Sequence, residues 1–283
     1  LTMPRTLKSL KTPLRYPGGK SKAVPKLLQY LPNLFQVKEF REPFLGGGSV
    51  ALEITKRYPH IDIWVNDLYE PLYNFWCELQ HNGQELQDAL LGIKSIYCNP
   101  DAARCLFITS KEQINDSDLS NFDRAVAFYI VNKCSFSGLT ESSSFSAQAS
   151  ESNFSTNGIE RLTEYSEIIE KWKITNLSYE SMLCDDKDTF IYLDPPYDIK
   201  DNLYGRKGEM HKRFDHDKFA HDCDKHTCPM LISYNSDQII RDRFYEWTVG
   251  EFAHTYTMRS VGCYNIDQAT RKELVLTNYE MRS

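Results

Sequence analysis

The sequence predicts an α/β fold: a mainly parallel, seven-stranded sheet with helices on both faces, plus a helical insertion lobe. Three observations carry this. Apolar strand runs alternate with helical-period stretches, the signature of strands joined by covering helices. A glycine-rich segment, Gly46-Gly47-Gly48, follows the first strand and opens a helix. Between the second and third strands lie roughly a hundred residues with helical patterns and no convincing strand. Residues 1–71 and 173–283 therefore form one sheet domain, and 72–172 are read as an insertion.

The elements follow in order. Leu14-Arg15-Tyr16-Pro17-Gly18-Gly19-Lys20 makes a sharp turn presenting an aromatic and a cation, with Ser21 placed to cap a helix over 21–31. Strands are expected at 39–43 and 61–66, with helices over 49–58, 70–80 and 84–97. In the last of these, Leu86, Leu90, Ile93 and Tyr97 share a face. Helices over 123–133 and 158–172 complete the insertion. Strands then recur at 173–178, 189–193, 229–234, 248–257 and 273–279, with helices over 215–223 and 236–246.

The chain has 283 residues and a formal net charge of −6, which argues at first against a polyanionic partner. The distribution argues otherwise, because phosphate neutralisation depends on local patches. Residues 1–26 carry seven Lys or Arg and no acid, and residues 200–213 hold five against two acids. Eight cysteines lie scattered without pairing rhythm, as reduced thiols do. No stretch approaches a membrane span and the basic N-terminus lacks a signal-like apolar run, so a soluble cytoplasmic protein is expected.

Residues 135–155 hold nine serines and no Lys or Arg, yet Phe136, Leu139, Phe145 and Phe154 recur through them. A solvated tether has no use for such rings, so a structured polar loop is expected. His211, His216, His221, Cys223, His226 and Cys228 invite a zinc reading, but their spacings fit no common finger. Residues 215–223 read instead as an amphipathic helix with His216 and Asp217 facing water, and no metal is expected.

Chemistry concentrates at strand ends. Phe190 to Leu193 run apolar into Asp194-Pro195-Pro196-Tyr197. The Asp194 carboxylate can accept one hydrogen bond of an exocyclic NH2 group and the Pro195 carbonyl the other, while Tyr197 can stack on the ring bearing that amine. The string is also an ordinary way to leave a sheet. Strand 39–43 runs into Phe44-Leu45-Gly46-Gly47-Gly48-Ser49, and Asp67 follows Gly46 by 21 residues. That is the spacing at which an acid takes the ribose hydroxyls of an adenosine cofactor. The segment satisfies G-x-G-x-x-A, so a nicotinamide or flavin dinucleotide stays open at this point. Phe44 before the glycines and the separate Tyr16–Lys20 turn count against it.

Taken together, Leu14–Lys20, Glu42-Pro43-Phe44-Leu45-Gly46-Gly47-Gly48-Ser49-Val50, Asn66-Asp67 and Asp194–Tyr197 resemble the Dam-type DNA adenine N6-methyltransferase family in order and spacing. Ser178-Tyr179-Glu180-Ser181-Met182, Leu231-Ile232-Ser233-Tyr234-Asn235 and Arg271–Leu276 extend the likeness over nearly the whole chain. The resemblance implies a Rossmann-like methyltransferase fold binding S-adenosylmethionine. Phe44, Gly46 and Gly48 would underlie it, Asp67 would hold its ribose, and Tyr179 would lie near its adenine. Tyr16, Gly18 and Lys20 would close over its methionine end, and Asp194 would touch cofactor and target alike. Asp194, Pro195, Pro196 and Tyr197 would act on an adenine flipped from double-stranded DNA.

The expected DNA contacts are Lys11, Arg15, Lys133, Phe136, Ser137, Arg206 and Lys207, with Phe136 a candidate wedge between base steps. A monomer or weak dimer is expected, in the cytoplasm of a bacterium or of a phage's host cell. One departure matters. GATC-methylating members match this chain through Arg124–Phe128 and Asn132-Lys133 and then carry a basic loop, where this chain has its serine-rich segment. GATC is therefore not the expected target. RNA adenine, cytosine N4 and a catalytically silent DNA-binding relative are the competing readings; Asp194 counts against a glutamine methylase, which carries Asn there.

Overall fold

The computed structural model describes residues 11–16, 20–138, 143–197, 214–254 and 271–281. Seven strands form one sheet: β1 Glu39–Glu42, β2 Asp62–Asn66, β3 Lys173–Thr175, β4 Thr189–Leu193, β5 Met230–Asn235, β6 Thr248–His254 and β7 Arg271–Thr277, in the order β3-β2-β1-β4-β5-β7-β6. The first five strands pair in parallel, and β7 runs antiparallel between β5 and β6. The expected mainly parallel sheet is present, with every strand near its expected position. The expected continuation of β6 to residue 257 lies outside the described residues.

Alternation along the central strands builds two cores. Phe190 and Tyr192 of β4, Leu231 of β5 and Val275 of β7 bury one face with Phe40, Leu52, Trp76 and Phe128. Ile191, Leu193, Met230, Ile232, Leu274 and Leu276 bury the other with Phe219 and Phe244. Period-two side chains on a sheet covered on both sides give this partition directly. Each large apolar group so buried contributes about 1.5–3 kcal/mol.

The helices are α1 Val24–Leu27, α2 Ser49–Arg57, α3 Glu70–His81, α4 Gly83–Ile96, α5 Pro100–Gln113, α6 Asn121–Cys134, α7 Ala147–Ser152, α8 Thr156–Glu160, α9 Leu162–Ile168, α10 His216–Asp224 and α11 Gln238–Arg243. Within the stretch read as an insertion, α3 packs on α4, α6 and α9, and α5 packs on α6 and α7. Three details differ from expectation. The first helix is a short α-turn continued by a 3-10 turn, and Ser21 does not cap it: its hydroxyl bonds Ser49 Oγ at 2.8 Å. Helix α5 was not expected, although Asn99 Oδ1 accepts from the Ala102 amide at 2.9 Å and Pro100 opens its first turn. The helix expected over 158–172 divides into α8 and α9.

In the serine-rich stretch, Ser146 and Ser155 cap α7 and α8, and Phe154 is fully buried. Phe145 packs on Phe107 with centroids 5.7 Å apart. The described residues of the stretch are structured, as its rings require. Leu139 lies outside the described residues.

Candidate active site

Strand order reverses between β1 and β4, which opens a crevice at their carboxyl ends. A cleft of about 460 Å³ lies there. Among the described residues it is lined by Tyr16 and Lys20, by the loop 42–50 after β1, by Asp67 and Leu68 after β2, by residues 177–180, by Asp194–Tyr197 after β4, and by Phe214, Asp215 and Lys218. The strand-end residues singled out in the sequence thus meet in one cavity.

Its floor is the glycine loop. Gly46 and Gly48 adopt φ of 53° and 76°, which non-glycine residues resist. Shape adds to the requirement: a Cβ on Gly46 meets the Tyr16 ring at 2.9 Å, and one on Gly48 meets the Trp76 ring at 2.9 Å. Trp76 Nε1 also donates to the Gly46 carbonyl at 3.2 Å, and the Thr12 hydroxyl donates to the Gly47 carbonyl. The Asn66 amide, buried, donates to the carbonyls of Pro43 at 3.0 Å and Leu177 at 2.8 Å, joining two walls of the cleft.

Carboxylates dominate the polar lining. Burial raises Asp67 to about 6 against the amides of Gly46 and Tyr69, which favour its charged form. Burial likewise pushes Asp194 up to about 7; Lys20 pulls it down, and Glu273 pushes it further up. Glu42 is held well above the usual carboxylate range by burial, then by Asp194. Its Oε2 is buried with no hydrogen-bond partner among the described residues.

Opposite these acids stands the buried Lys20. Its Nζ lies 2.8 Å from Glu273 Oε1 and 3.4 Å from Asp194 Oδ1, and it donates to the Tyr197 hydroxyl. That hydroxyl donates in turn to Glu273 Oε1. Burial alone lowers the Lys20 ammonium, but Asp194 and Glu273 outweigh it and hold the cation.

The far wall is aromatic. Phe44 stacks on Tyr179 at 5.7 Å, with Phe214 and Phe219 edge-on to Phe44. Tyr179 donates to Asp222 Oδ2 at 2.7 Å, and Lys218 bridges Asp222 and Glu180. A cleft with an aromatic slot at one end and carboxylates at the other suits a cation carrying a flat ring.

Of the described candidate DNA contacts, Phe136 and Ser137 lie on the turn after α6, Lys133 lies in α6, and Lys11 and Arg15 lie on the segment 11–16. The Arg15 guanidinium donates to the carbonyls of Ser135 at 2.6 Å and Phe136 at 3.1 Å. Asn132 closes this link, accepting from the Arg15 amide at 2.9 Å and donating to the carbonyls of Arg15 and Gly138. Phe136 is 43% exposed, Ser137 is half-buried and Lys11 is exposed. Lys133 is half-buried, and burial followed by the Arg15 charge lowers its ammonium to about 8. Gly18, Arg206 and Lys207 lie outside the described residues.

The expectation for His216 is corrected. Its ring faces inward, with Nδ1 bonded to the Tyr234 hydroxyl at 2.7 Å and the ring against Phe214, because β5 offers a buried hydroxyl that needs a partner. Asp217 does face solvent, paired with Arg243. Glu42, Trp76 and Glu273 are site residues that the sequence reading did not single out. Glu273 had a signal, a carboxylate directly before the apolar run Leu274-Val275-Leu276 that calls for a partner or a ligand once buried, whereas Glu42, in the charged strand Glu39-Phe40-Arg41-Glu42, had none.

The family model for D12 class N6 adenine-specific DNA methyltransferases matches residues 16–258. The type II methyltransferase M.MjaIII of Methanocaldococcus jannaschii is 22% identical over 246 residues, covering 79% of this chain and 84% of that protein. A DNA adenine methylase of Vibrio cholerae is 27% identical over 189 residues, 65% of this chain and 64% of that protein. The type II methyltransferase M1.LlaDCHI of Lactococcus lactis is 21% identical over 280 residues, 94% of each chain.

Proposed function

The chain belongs to the D12 class of N6 adenine-specific DNA methyltransferases, and from that premise we propose that it carries the methyl group of S-adenosylmethionine to the N6 amine of an adenine flipped out of duplex DNA. The observation that carries this reading is the meeting of Asp194 and Pro195 with the glycine loop and Asp67 in one cleft.

The cleft fits the cofactor. Its unpartnered Glu42 Oε2 and the raised carboxylates around it call for a cationic ligand, and the two positive-φ glycines leave a cradle that a Cβ would fill. Phe44, Gly46 and Gly48 would underlie it, Asp67 would hold its ribose hydroxyls, and Tyr179 would lie near its adenine. Tyr16 and Lys20 would border its methionine end. When bound, S-adenosylmethionine supplies an electrophilic methyl group.

The protein's own work is positioning. The amine of adenine is a poor nucleophile because its lone pair is delocalised into the ring. Hydrogen bonds to the Asp194 carboxylate and the Pro195 carbonyl bias it toward a tetrahedral form, and Pro196 fixes the chain that presents them. A base cannot reach this cleft from within a duplex, so it must be extruded. Tyr197 then replaces the lost stacking. Its hydroxyl is already tethered to Lys20 and Glu273, so the ring surrenders little freedom on stacking.

Residues 72–172, with the 135–138 turn at their edge, are the proposed target-recognition part, and Lys11, Arg15, Lys133, Phe136 and Ser137 the described candidates for its DNA contacts. The proposed setting is the cytoplasm, where the DNA substrate lies; among the described residues no helix is long and apolar enough to cross a membrane. Expression in a methylation-free host, followed by single-molecule sequencing of the host genome, tests the reading. N6-methyladenine in one sequence context is the expected result. N4-methylcytosine, or an unmodified genome from folded protein, overturns it.

A further inference from the structure

Strand β7 carries a buried acid to which the reaction as described gives no part beyond tethering the Tyr197 hydroxyl. Glu273 is fully buried, directly before Leu274, Val275 and Leu276, and its backbone is paired on both sides, with Asn235 of β5 and Phe252 of β6. A carboxylate taken out of water at such a position is costly, and an apolar residue of similar volume is commonly the more stable choice. What meets it is Lys20, also buried, reaching from the turn before α1. The Tyr197 hydroxyl meets the same oxygen.

We propose that Glu273 is a positioning residue for methyl transfer: it gathers Lys20 and the tip of Tyr197 at one point and takes up the lysine charge, so that the Asp194 carboxylate remains available to the amine of the base. This rests on the reading of the cleft given above. The distances support it, since Lys20 Nζ lies 2.8 Å from Glu273 and 3.4 Å from Asp194. With a single carboxylate in reach, a buried ammonium closes on it, and Asp194 loses the acceptor sites the amine needs. With two, the lysine is held mainly by the partner that touches no substrate.

The charged and titratable groups interacting with Asp194 come from several elements. Among the described residues they are Lys20 from the N-terminal turn, Glu42 from β1, Tyr192 from β4 and Glu273 from β7. Only Lys20 among these opposes the two neighbouring acids. Removing the Glu273 charge leaves that cation to Asp194, which must then hold its proton less tightly.

The test is E273Q in the full chain. Steady-state methylation of DNA should show kcat reduced on the order of 10²-fold, the scale of a misplaced reacting group, with the KM for S-adenosylmethionine little changed. The acid limb of the pH profile should move to lower pH. A packing role for Glu273 lowers the melting temperature but leaves that limb in place, so an unmoved limb, or wild-type kcat, overturns the proposal. A readout without turnover separates this from the parent reading. In 15N-lysine spectra the Lys20 ammonium, assigned by its loss in K20M, should exchange slowly in the wild type and rapidly in E273Q. Rapid exchange in the wild type overturns the inference even if E273Q fails to fold, whereas absence of any DNA methylation by the wild type overturns the proposed function and leaves this measurement to judge Glu273.

Discussion

The Gly46 amide donates to Asp67 Oδ2 at 2.9 Å, while Asp67 Oδ1 accepts from the Tyr69 amide at 3.0 Å. The acid at the end of β2 therefore ties the glycine loop to its own strand end before any ligand arrives. An ionised carboxylate offers about four acceptor sites, so two remain for the proposed contact with ribose hydroxyls. Asp67→Asn removes the charge and one acceptor oxygen. S-adenosylmethionine binding should weaken by roughly 10- to 100-fold, the scale of hydrogen bonds to a charged group. Titration calorimetry reads this directly, and an unchanged Kd removes Asp67 from the ribose site.

Gly48 is constrained twice, by φ of 76° and by the Trp76 ring 2.9 Å from where a Cβ would lie. Gly48→Ala should cost about 1–2 kcal/mol for the left-handed backbone alone. Displacement of Trp76, which also holds the Gly46 carbonyl, should add to this and open the loop. Calorimetric melting and cofactor titration should therefore fall together. A variant that melts lower yet binds normally would show that the loop tolerates movement of its floor.

The strands were legible because a sheet covered on both faces writes its strands as short apolar runs, and β4 is the clearest of them. The cleft was legible because it sits where loop residues of several strands must converge. Helix α5 was not, although Asn99-Pro100 spells its start, since its buried residues Ala103, Phe107 and Ser110 make only a narrow stripe of which one member is polar. The contact of Lys20 with Glu273 spans 253 residues, and nothing local to either announces the other. His216 was misread for the same reason: helical periodicity ranks a histidine as polar and is blind to the Tyr234 hydroxyl across the core.

In the proposed reaction Asp194 accepts from the amine as a carboxylate, and burial raises it to about 7 in the ligand-free protein. The acid's pKa is raised, so the active form is present above that value and is lost as pH falls through it. The profile of kcat/KM for the cofactor reports the free enzyme and should show an acid limb near 7. Bound cation favours the carboxylate, so the limb in kcat should lie lower. Asp194→Asn should keep the fold and lose at least about 10²-fold in kcat. Near-wild-type turnover in a tritiated-methyl assay would sink the assignment.

Tyr197 lines the cleft with its hydroxyl bound to Lys20 and Glu273. Tyr197→Phe keeps the ring and loses the tether, whereas Tyr197→Ala loses both. Base stacking on an aromatic is worth about 1–3 kcal/mol, so the alanine variant should weaken capture of an extruded adenine and slow turnover. The phenylalanine variant should retain most of the capture. Fluorescence of 2-aminopurine at the target position separates the two, and equal capture by all three proteins would exclude Tyr197 from the stack.

Gly138 closes the turn that presents Phe136, with φ of 74° and with Arg15 Cβ 2.8 Å from the position of an added Cβ. Its amide bonds Ser135 Oγ at 2.9 Å, and its carbonyl accepts from Asn132. The turn is thus fastened to Arg15, whose chain neighbour Tyr16 packs on the glycine loop. Gly138→Ala should push the turn away from Arg15 and misdirect Phe136 without touching the cofactor cleft. DNA affinity and turnover should fall while S-adenosylmethionine affinity stays at the wild-type value. Phe136→Ala should reproduce the DNA defect in a background where the turn is intact. Loss of cofactor affinity in Gly138→Ala would show instead that the Arg15–Tyr16 segment transmits strain into the glycine loop, and normal DNA binding by both variants would place recognition elsewhere.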